Sequence, residues 1–191
     1  MELLRMRDAT FATSTDSVGP VTLKLAPGER AAYEFASARE AAIVALLAAG
    51  IVKVSSGCVL IGDYDPRVQS VHCKRIAALV PHEPFALDES EFRRYLAYRA
   101  ALWNVEPARA IAHAELLRKR CAGMHEAFAF PLIGALIGLP KLVVLDRPQP
   151  VYARQILAAV GNRALFSTHT DAAAARAFED SEVARFRAHQ A

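Results

Sequence analysis

The sequence predicts an α/β protein built on a parallel sheet, with a β-rich N-terminal part and an inserted block of helices. Short apolar segments typical of strands alternate with alanine- and leucine-rich segments typical of helices, and this alternation is characteristic of α/β folds. The segment KLVVLD at 141–146 has an uninterrupted apolar centre, as expected of a parallel strand buried on both faces. Helical segments between 88 and 138 then interrupt the strands, which indicates an insertion into the sheet.

The N-terminal half is predicted to hold most of the strands and one long helix. Alternating apolar and polar residues predict the first two strands, which the turn-forming stretch TSTDSVGP joins. The helix at 37–49 is rich in Ala, Leu, Ile and Val, contains no Gly or Pro, and ends at Gly50. The predicted strands of this half cover 2–7, 20–26, 31–35 and 58–61, and a buried strand within 75–84 stops at Pro81.

The C-terminal half is predicted to hold the remaining helices and two strands. Asp88 and Glu106 lie near the starts of two amphipathic helices, where acidic side chains stabilise a helix. The alanine-rich tail from Thr170 is predicted to be helical at least to Glu179. The other predicted helices cover 88–104, 106–120, 124–138 and 150–160, and the predicted strands cover 141–146 and 163–168.

Composition favours one globular domain in a reducing compartment. The chain has 191 residues, of which 53% are hydrophobic, enough to form a core. The net charge of +3, spread along the sequence, argues against nucleic acid as a partner. Its three cysteines, at 58, 73 and 121, lie far apart, so neither a zinc site nor a disulfide framework is expected. We find no signal peptide and no apolar stretch long enough to span a bilayer, and therefore expect a cytoplasmic protein.

Five segments, in order and at similar spacing, resemble the nucleotide-binding domain of ABC transporters. They are LAPGER at 25–30, SGCVLIGDYDP at 56–66, RIAALVPHEP at 75–84, ALIGLPKLVVLDRP at 135–148 and ALFSTHTD at 164–171. The resemblance covers most of the chain. It implies a single ABC-type P-loop NTPase-like domain over 1–191, with a core at 1–82 and 139–191. It also implies that 83–138 is a reduced form of the family's helical subdomain.

The resemblance places the family's phosphate-binding loop on FASAREAA at 35–42. Such a loop needs glycines whose backbone N–H groups turn inward, a lysine, and a hydroxyl for magnesium. Alanines stand at the lysine and hydroxyl positions, Ala41 and Ala42, and no glycine is present. Ser37 and Glu40 instead have the spacing of a capping box. A carboxylate at the helix N-terminus would also repel a phosphate. We therefore expect a degenerate nucleotide site.

The other family positions are also altered. The resemblance implies that His82 replaces the Q-loop glutamine and that Asp146 is the Walker B aspartate. It implies further that Arg147 replaces the catalytic glutamate and that His169 is the H-loop histidine. An arginine cannot act as a base, and we expect Arg147 to pair with Asp146 or with Glu40. His82 is expected to be an exposed loop histidine, and His169 to be hydrogen-bonded at a strand end. Gly123, within CAGMHEAF at 121–128, is the one residue that resembles the family's signature motif.

These residues predict a catalytically inactive, ABC ATPase-like subunit that acts as a protein-binding or regulatory scaffold in a membrane transport or envelope-export complex. No catalytic residue, cofactor or metal is expected. The partner would be a membrane subunit or an intact ABC ATPase subunit, and a homodimer is possible; the chain would lie at the inner face of the membrane through that partner. Aromatic residues are common in interface hot spots, although some of this set could instead form the core face of a helix. The candidates are Phe85, Phe92, Tyr95, Tyr98 and Trp103.

Three alternatives remain open from the sequence. One is a nucleotide sensor that binds without hydrolysis, against which the Glu40 carboxylate argues. The second is a weakly active ABC-type ATPase in an asymmetric pair with an intact subunit. The third is a hydrolase that uses Asp146 and His169, because α/β sheets place their sites at the carboxyl ends of strands.

Overall fold

The computed structural model describes residues 2–85 and 87–178. Within these ranges the strands are β1 (Leu4–Ala12), β2 (Ser17–Leu25), β3 (Arg30–Glu34), β4 (Ser56–Ile61), β5 (Ala77–Val80), β6 (Leu142–Asp146) and β7 (Ala164–His169). The helices are α1 (Ala38–Ala48), α2 (Ser70–Ile76), α3 (Glu89–Leu102), α4 (Pro107–Arg120), α5 (Glu126–Leu136), α6 (Ala153–Val160) and α7 (Ala172–Arg176). A short 3-10 helix at Pro150–Tyr152 precedes α6.

A four-stranded parallel sheet in the order β3-β7-β6-β5 forms the centre of the molecule. Alternate residues of β6 point to opposite faces, as the two-residue period of a strand requires. Leu142 and Val144 pack into a core that includes α1 and the antiparallel strands, whereas Val143 and Leu145 pack into a core formed with the other helices. Burial on both faces explains the apolar centre of this strand and confirms its prediction as a central parallel strand.

A second, antiparallel sheet in the order β2-β1-β4 covers one side of α1. Met6 in β1 pairs with Leu23 in β2 and with Val59 in β4. All three side chains are buried in the core that includes α1. The β-rich N-terminal part predicted from the sequence is therefore this sheet.

The helices α3, α4 and α5 form a block against the other face of the parallel sheet. The Phe92 ring of α3 stacks on the Phe130 ring of α5 with centroids 3.8 Å apart. Both predicted acidic helix starts are confirmed. Asp88 forms a complete capping box with Glu91, and the Glu106 carboxylate accepts the N–H groups of Ala108 and Arg109.

The structure corrects the predicted elements in a few places. The predicted strand within 75–84 is wrong at its start, because Ser70–Ile76 forms helix α2 and only Ala77–Val80 is a strand. The strand β1 continues beyond its predicted end to Ala12, and β2 begins at Ser17, within the predicted turn, so that Phe11 pairs with Val18. The C-terminal helix α7 ends at Arg176, and Glu179 lies outside the described residues.

Candidate functional site

The carboxyl edge of the parallel sheet brings the predicted site residues together. Glu34, the last residue of β3, lies in register with His169 at the end of β7. Asp146, the last residue of β6, lies in register with the neighbouring Thr168. The strand β5 follows beside β6 and leads directly to Pro81 and His82. This edge is where open α/β sheets place their ligands.

The connection between β3 and α1 is short. The strand ends at Glu34 and the helix begins at Ala38, so only residues 35–37 connect them. The N–H of Ala41 already donates to the Ser37 carbonyl oxygen at 3.0 Å. The second half of FASAREAA is therefore helical.

The N-terminus of α1 is capped by its own side chains. The Ser37 hydroxyl oxygen accepts the N–H of Glu40 at 3.1 Å, which confirms the predicted serine half of the capping box. The predicted glutamate half needs correction, because the Glu40 carboxylate accepts the N–H of Ala36 at 3.2 Å, one residue before the usual target. Both contacts occupy donors that a ligand would otherwise use.

The two alanines at the expected lysine and hydroxyl positions differ in burial. Ala41 is 0% exposed and belongs to the core between α1 and the sheets. Ala42 is only partly buried. Ala41, where the sequence resemblance placed the lysine, therefore lies in the protein interior.

An ion pair that the sequence did not predict lies beside this helix start. Arg39, in the first turn of α1, pairs with Asp16 in the β1–β2 connection. The hydrogen bond from Arg39 holds the pKa of Asp16 below its usual value. This contact fastens the β1–β2 connection to the helix end at which a nucleotide would bind.

Asp146 and Arg147 form a bidentate ion pair, so Asp146 is one of the two partners expected for Arg147. The Nε and Nη2 atoms of Arg147 lie 2.8 and 3.1 Å from the Asp146 carboxylate oxygens. Arg147 has a positive φ of 43°, and its backbone N–H donates to the Thr168 carbonyl oxygen at 3.0 Å. With this backbone conformation, the Arg147 side chain turns back toward Asp146, the preceding residue. Glu40, the alternative partner, instead accepts the Ala36 N–H.

His82 is half-buried rather than exposed, which corrects the sequence-based expectation. Its Nδ1 atom lies 2.8 Å from the carbonyl oxygen of Arg147. A carbonyl oxygen can only accept, so Nδ1 carries the hydrogen. The residue thus joins the end of β5 to the turn that follows β6. It was predicted only as the counterpart of a glutamine, and the contact with Arg147 depends on strand order.

His169 is buried at the end of β7, as expected of a structural residue. It is 1% exposed, and its Nε2 lies 2.9 Å from the Ser167 hydroxyl. Its ring also packs on Phe178, with centroids 5.3 Å apart. Burial lowers the pKa of His169 to about 4. The imidazole is therefore neutral near pH 7.

Three of the five aromatic partner candidates pack within the helical block. Phe92 is fully buried against Phe130. The glycines of the α5 region make room for two more rings, since a Cβ at Gly134 would overlap Tyr95 and one at Gly138 would overlap Trp103. The burial of Phe92 corrects its predicted binding role in favour of the core alternative, whereas Tyr95 and Trp103 are partly buried and their role stays a prediction. Phe85 is half-buried against Tyr95, and Tyr98 is 61% exposed.

A narrow apolar cleft lies beside the Asp146–Arg147 pair. It separates the segment after β5 from the start of α5 and from the 3-10 helix. Its walls include Pro81, Glu83, Met124, Phe128, Pro131 and Tyr152. The cleft thus lies between the core and the helical block.

Comparison with solved structures shows that the chain has the fold of an ABC transporter ATP-binding cassette. The ATP binding subunit of an ABC transporter is 20% identical, with 92% of this chain and 83% of that chain covered and a TM-score of 0.72. The dimeric bacterial ABC transporter cassette MJ0796 is 13% identical, with 92% and 91% covered and a TM-score of 0.69.

A third structural neighbour is cbiO1 from Clostridium perfringens, part of the ABC transporter complex cbiONQ. It is 15% identical, with 88% of this chain and 78% of that chain covered and a TM-score of 0.66. No protein-family model matches the sequence, and no curated protein sequence matches it. The likeness is thus one of fold, and it confirms the α/β class and the ABC-type arrangement predicted above.

Within residues 2–85 and 87–178, no group of three or more His, Cys, Asp or Glu side chains is placed to hold a metal ion. In the same ranges, no helix combines the length and the apolar character that crossing a membrane requires.

Proposed function

We propose that this chain is an inactive ABC ATPase-like subunit that acts as a protein-binding or regulatory scaffold in a membrane transport or envelope-export complex. The observation that carries the proposal is the start of α1. Only three residues connect β3 to α1, and the donors of Ala36 and Glu40 are bound by side chains of the same turn. A triphosphate would have to displace these contacts beside the Glu40 carboxylate, which opposes an anion there.

The Asp146–Arg147 pair supports the same proposal. A magnesium-binding aspartate must offer free carboxylate oxygens, and both oxygens of Asp146 accept hydrogen bonds from Arg147. Magnesium would therefore need to replace a guanidinium that is only 20% exposed. No general base stands at position 147, because an arginine stays protonated.

The partner we propose is a membrane subunit or an intact ABC ATPase subunit, located with this chain at the inner face of the membrane. The fold supports this, since cbiO1 is part of a transporter complex and MJ0796 is dimeric. On this chain, the cleft beside Arg147 and the exposed ring of Tyr98 remain available. The ring of Phe92 is not available for binding, because it is buried within the helical block.

The central test compares unfolding with and without millimolar Mg-ATP or Mg-ADP. A ligand at one hundred times its Kd raises the free energy of unfolding by about 2.7 kcal/mol, whereas we expect no change. The matched variant Asp146→Asn serves for activity: ATP turnover in the wild type that disappears in this variant would overturn the proposal. A reproducible stabilisation by nucleotide without turnover would instead favour a sensor.

A second test concerns the partner. The tagged chain is purified from solubilised membranes, alongside Tyr98→Arg and the control Val68→Arg, which alters another exposed apolar side chain. We expect an ABC ATPase or a membrane subunit to copurify with the wild type and the control and to be depleted with Tyr98→Arg. Recovery of neither class of protein with the wild type would contradict the scaffold role.

A further inference from the structure

An open depression lies at the amino edge of the parallel sheet, opposite the candidate functional site. It measures about 600 Å³ and is lined by the residues that precede β3, β6 and β7. Its polar lining consists of Lys141, Asn162 and Arg163, and its apolar lining includes Leu3 and Leu139. The Leu139 side chain is 59% exposed. The depression thus combines an apolar wall with a polar end.

Both charged residues of this lining are cations. Neither Lys141 nor Arg163 forms an ion pair with a described residue. The two glutamates next to this lining in sequence each have another partner. Glu2 pairs with Lys24, and the Glu29 carboxylate accepts the N–H of Ala26 at 2.6 Å.

A second arginine, Arg120, and the imidazole of His113 lie close to Arg163. The pKa of Arg163 is lowered by burial and by the charge of Arg120. The pKa of His113 is lowered by burial and by the charges of both arginines. No carboxylate contributes to either shift. The guanidinium groups of Arg120 and Arg163 therefore repel each other, and the lowered pKa of His113 favours its neutral form.

Carbonyl groups at the end of helix α6 bind some of the N–H groups of Arg120 and Arg163. Arg163 donates Nη1 to the Val160 carbonyl oxygen at 2.7 Å, and Arg120 donates Nη1 to the Ala158 carbonyl oxygen at 3.4 Å. Such contacts satisfy carbonyl groups at a helix C-terminus. Each uses one of the five N–H donors of a guanidinium. The contact of Arg163 also holds its charge at a fixed position beside the depression.

The backbone leaves space for a ligand at the same place. Gly28 follows Pro27 in a tight turn closed by the Glu29 N–H and the Ala26 carbonyl oxygen at 3.2 Å. Gly28 has a φ of 83°, and a Cβ there would meet only the Asn162 carbonyl oxygen, at 3.7 Å. The main chain thus borders the depression without a side chain to fill it.

We propose that this depression binds a small molecule with a phosphate or carboxylate group and a short apolar body. The oxyanion lies between Lys141 and Arg163, which are the donors suited to it. The apolar part lies against Leu3 and Leu139. This site is distinct from the proposed scaffold function, because it occupies the opposite edge of the sheet.

The test is a titration of the full chain with inorganic phosphate, followed by amide chemical shifts at constant ionic strength. We expect saturable shifts confined to residues around Gly28, Lys141 and Asn162. The variant Lys141→Glu should bind phosphate about tenfold more weakly or not at all, because it replaces an attractive charge with a repulsive one. The control Arg94→Glu makes the same charge change on the exposed side of α3 and should bind as the wild type does.

Several outcomes would overturn the proposal. Equal weakening by both variants would indicate general attraction to a basic surface, and unchanged affinity of Lys141→Glu would exclude the depression. Binding to vesicles of anionic lipid without binding to free phosphate would point to a membrane surface instead. Amide shifts confined to residues 36–42 would contradict both the phosphate site in the depression and the proposal that the start of α1 binds no nucleotide. An absence of shifts around Gly28, with none at residues 36–42, would overturn only the phosphate site and leave the scaffold proposal intact.

Discussion

The buried imidazole of His169 makes the stability of the fold depend on pH. Burial lowers its pKa from 6.5 to about 4 in the folded protein, while an unfolded chain restores the ordinary value. Between these two values the unfolded state binds more protons than the folded state. Acidification through this window therefore destabilises the fold, and the full stability is present above the unfolded pKa.

The loss of folding stability follows from the size of the pKa shift of His169. This shift lowers the free energy of unfolding by about 3 kcal/mol once the pH has fallen below both pKa values. Between pH 7 and pH 5, linkage gives a loss of roughly 2 kcal/mol for this one group. Solvent screens the interactions of the imidazole little, since the side chain is only 1% exposed.

The assay is urea denaturation at both pH values, for the wild type and for His169→Gln. Carboxylates also contribute to acid destabilisation, but their contribution cancels in the difference between the two proteins. We expect the variant to lose about 2 kcal/mol less than the wild type on acidification. Equal losses in both proteins would refute the reasoning, because His169 would then titrate alike in the folded and unfolded states.

Three further predictions concern stability and are measured by the same urea titrations. Ser37→Ala should cost about 1 kcal/mol, since it removes the cap of α1, and Ser37→Gly only a few tenths; equal costs would argue against a capping role. Phe92→Ala should cost about 3–5 kcal/mol, whereas Tyr98→Ala, on the exposed side of the same helix, should stay within about 0.5 kcal/mol. Similar costs for the two would show that burial has been misassigned. Arg147→Ala should cost about 1–3 kcal/mol because it leaves the Asp146 carboxylate without its partner, and a neutral result would exclude a structural role for the pair.

The fold could be predicted where each local signal agreed with the tertiary packing. Helix α3 has an N-terminal cap at Asp88 and an apolar face, and β6 is apolar because both its faces are buried. Helix α2 lacks such signals, since its N-cap residue Gln69 makes no side-chain cap and Cys73 is its one buried residue. Its last apolar residue runs into β5, and the sequence alone does not separate the two elements.

The candidate site was only partly predictable for a geometric reason. Spacing along the chain identifies Ser37 as the cap of the Glu40 N–H, because both lie in one helical turn. The partner of Arg147 depends on a positive φ that no residue type at that position signals, so two partners remained open. The role of Phe92 and its neighbours depends on which helix faces them, and Gly134 and Gly138 acquire meaning only once α5 is known to be that helix.

Ala41 provides the sharpest test of whether the nucleotide site is closed by the fold or merely lacks one side chain. Ala41→Lys restores the family's lysine, but position 41 is 0% exposed within the core. A buried, unpaired ammonium costs several kcal/mol, so we expect Ala41→Lys to destabilise the protein strongly and to confer no affinity for Mg-ATP. Ala42→Lys is the matched control, because the neighbouring position is partly exposed and should tolerate the change within about 1 kcal/mol. Nucleotide binding by a well-folded Ala41→Lys variant would show that one missing cation, rather than the short β3–α1 connection, keeps the site empty.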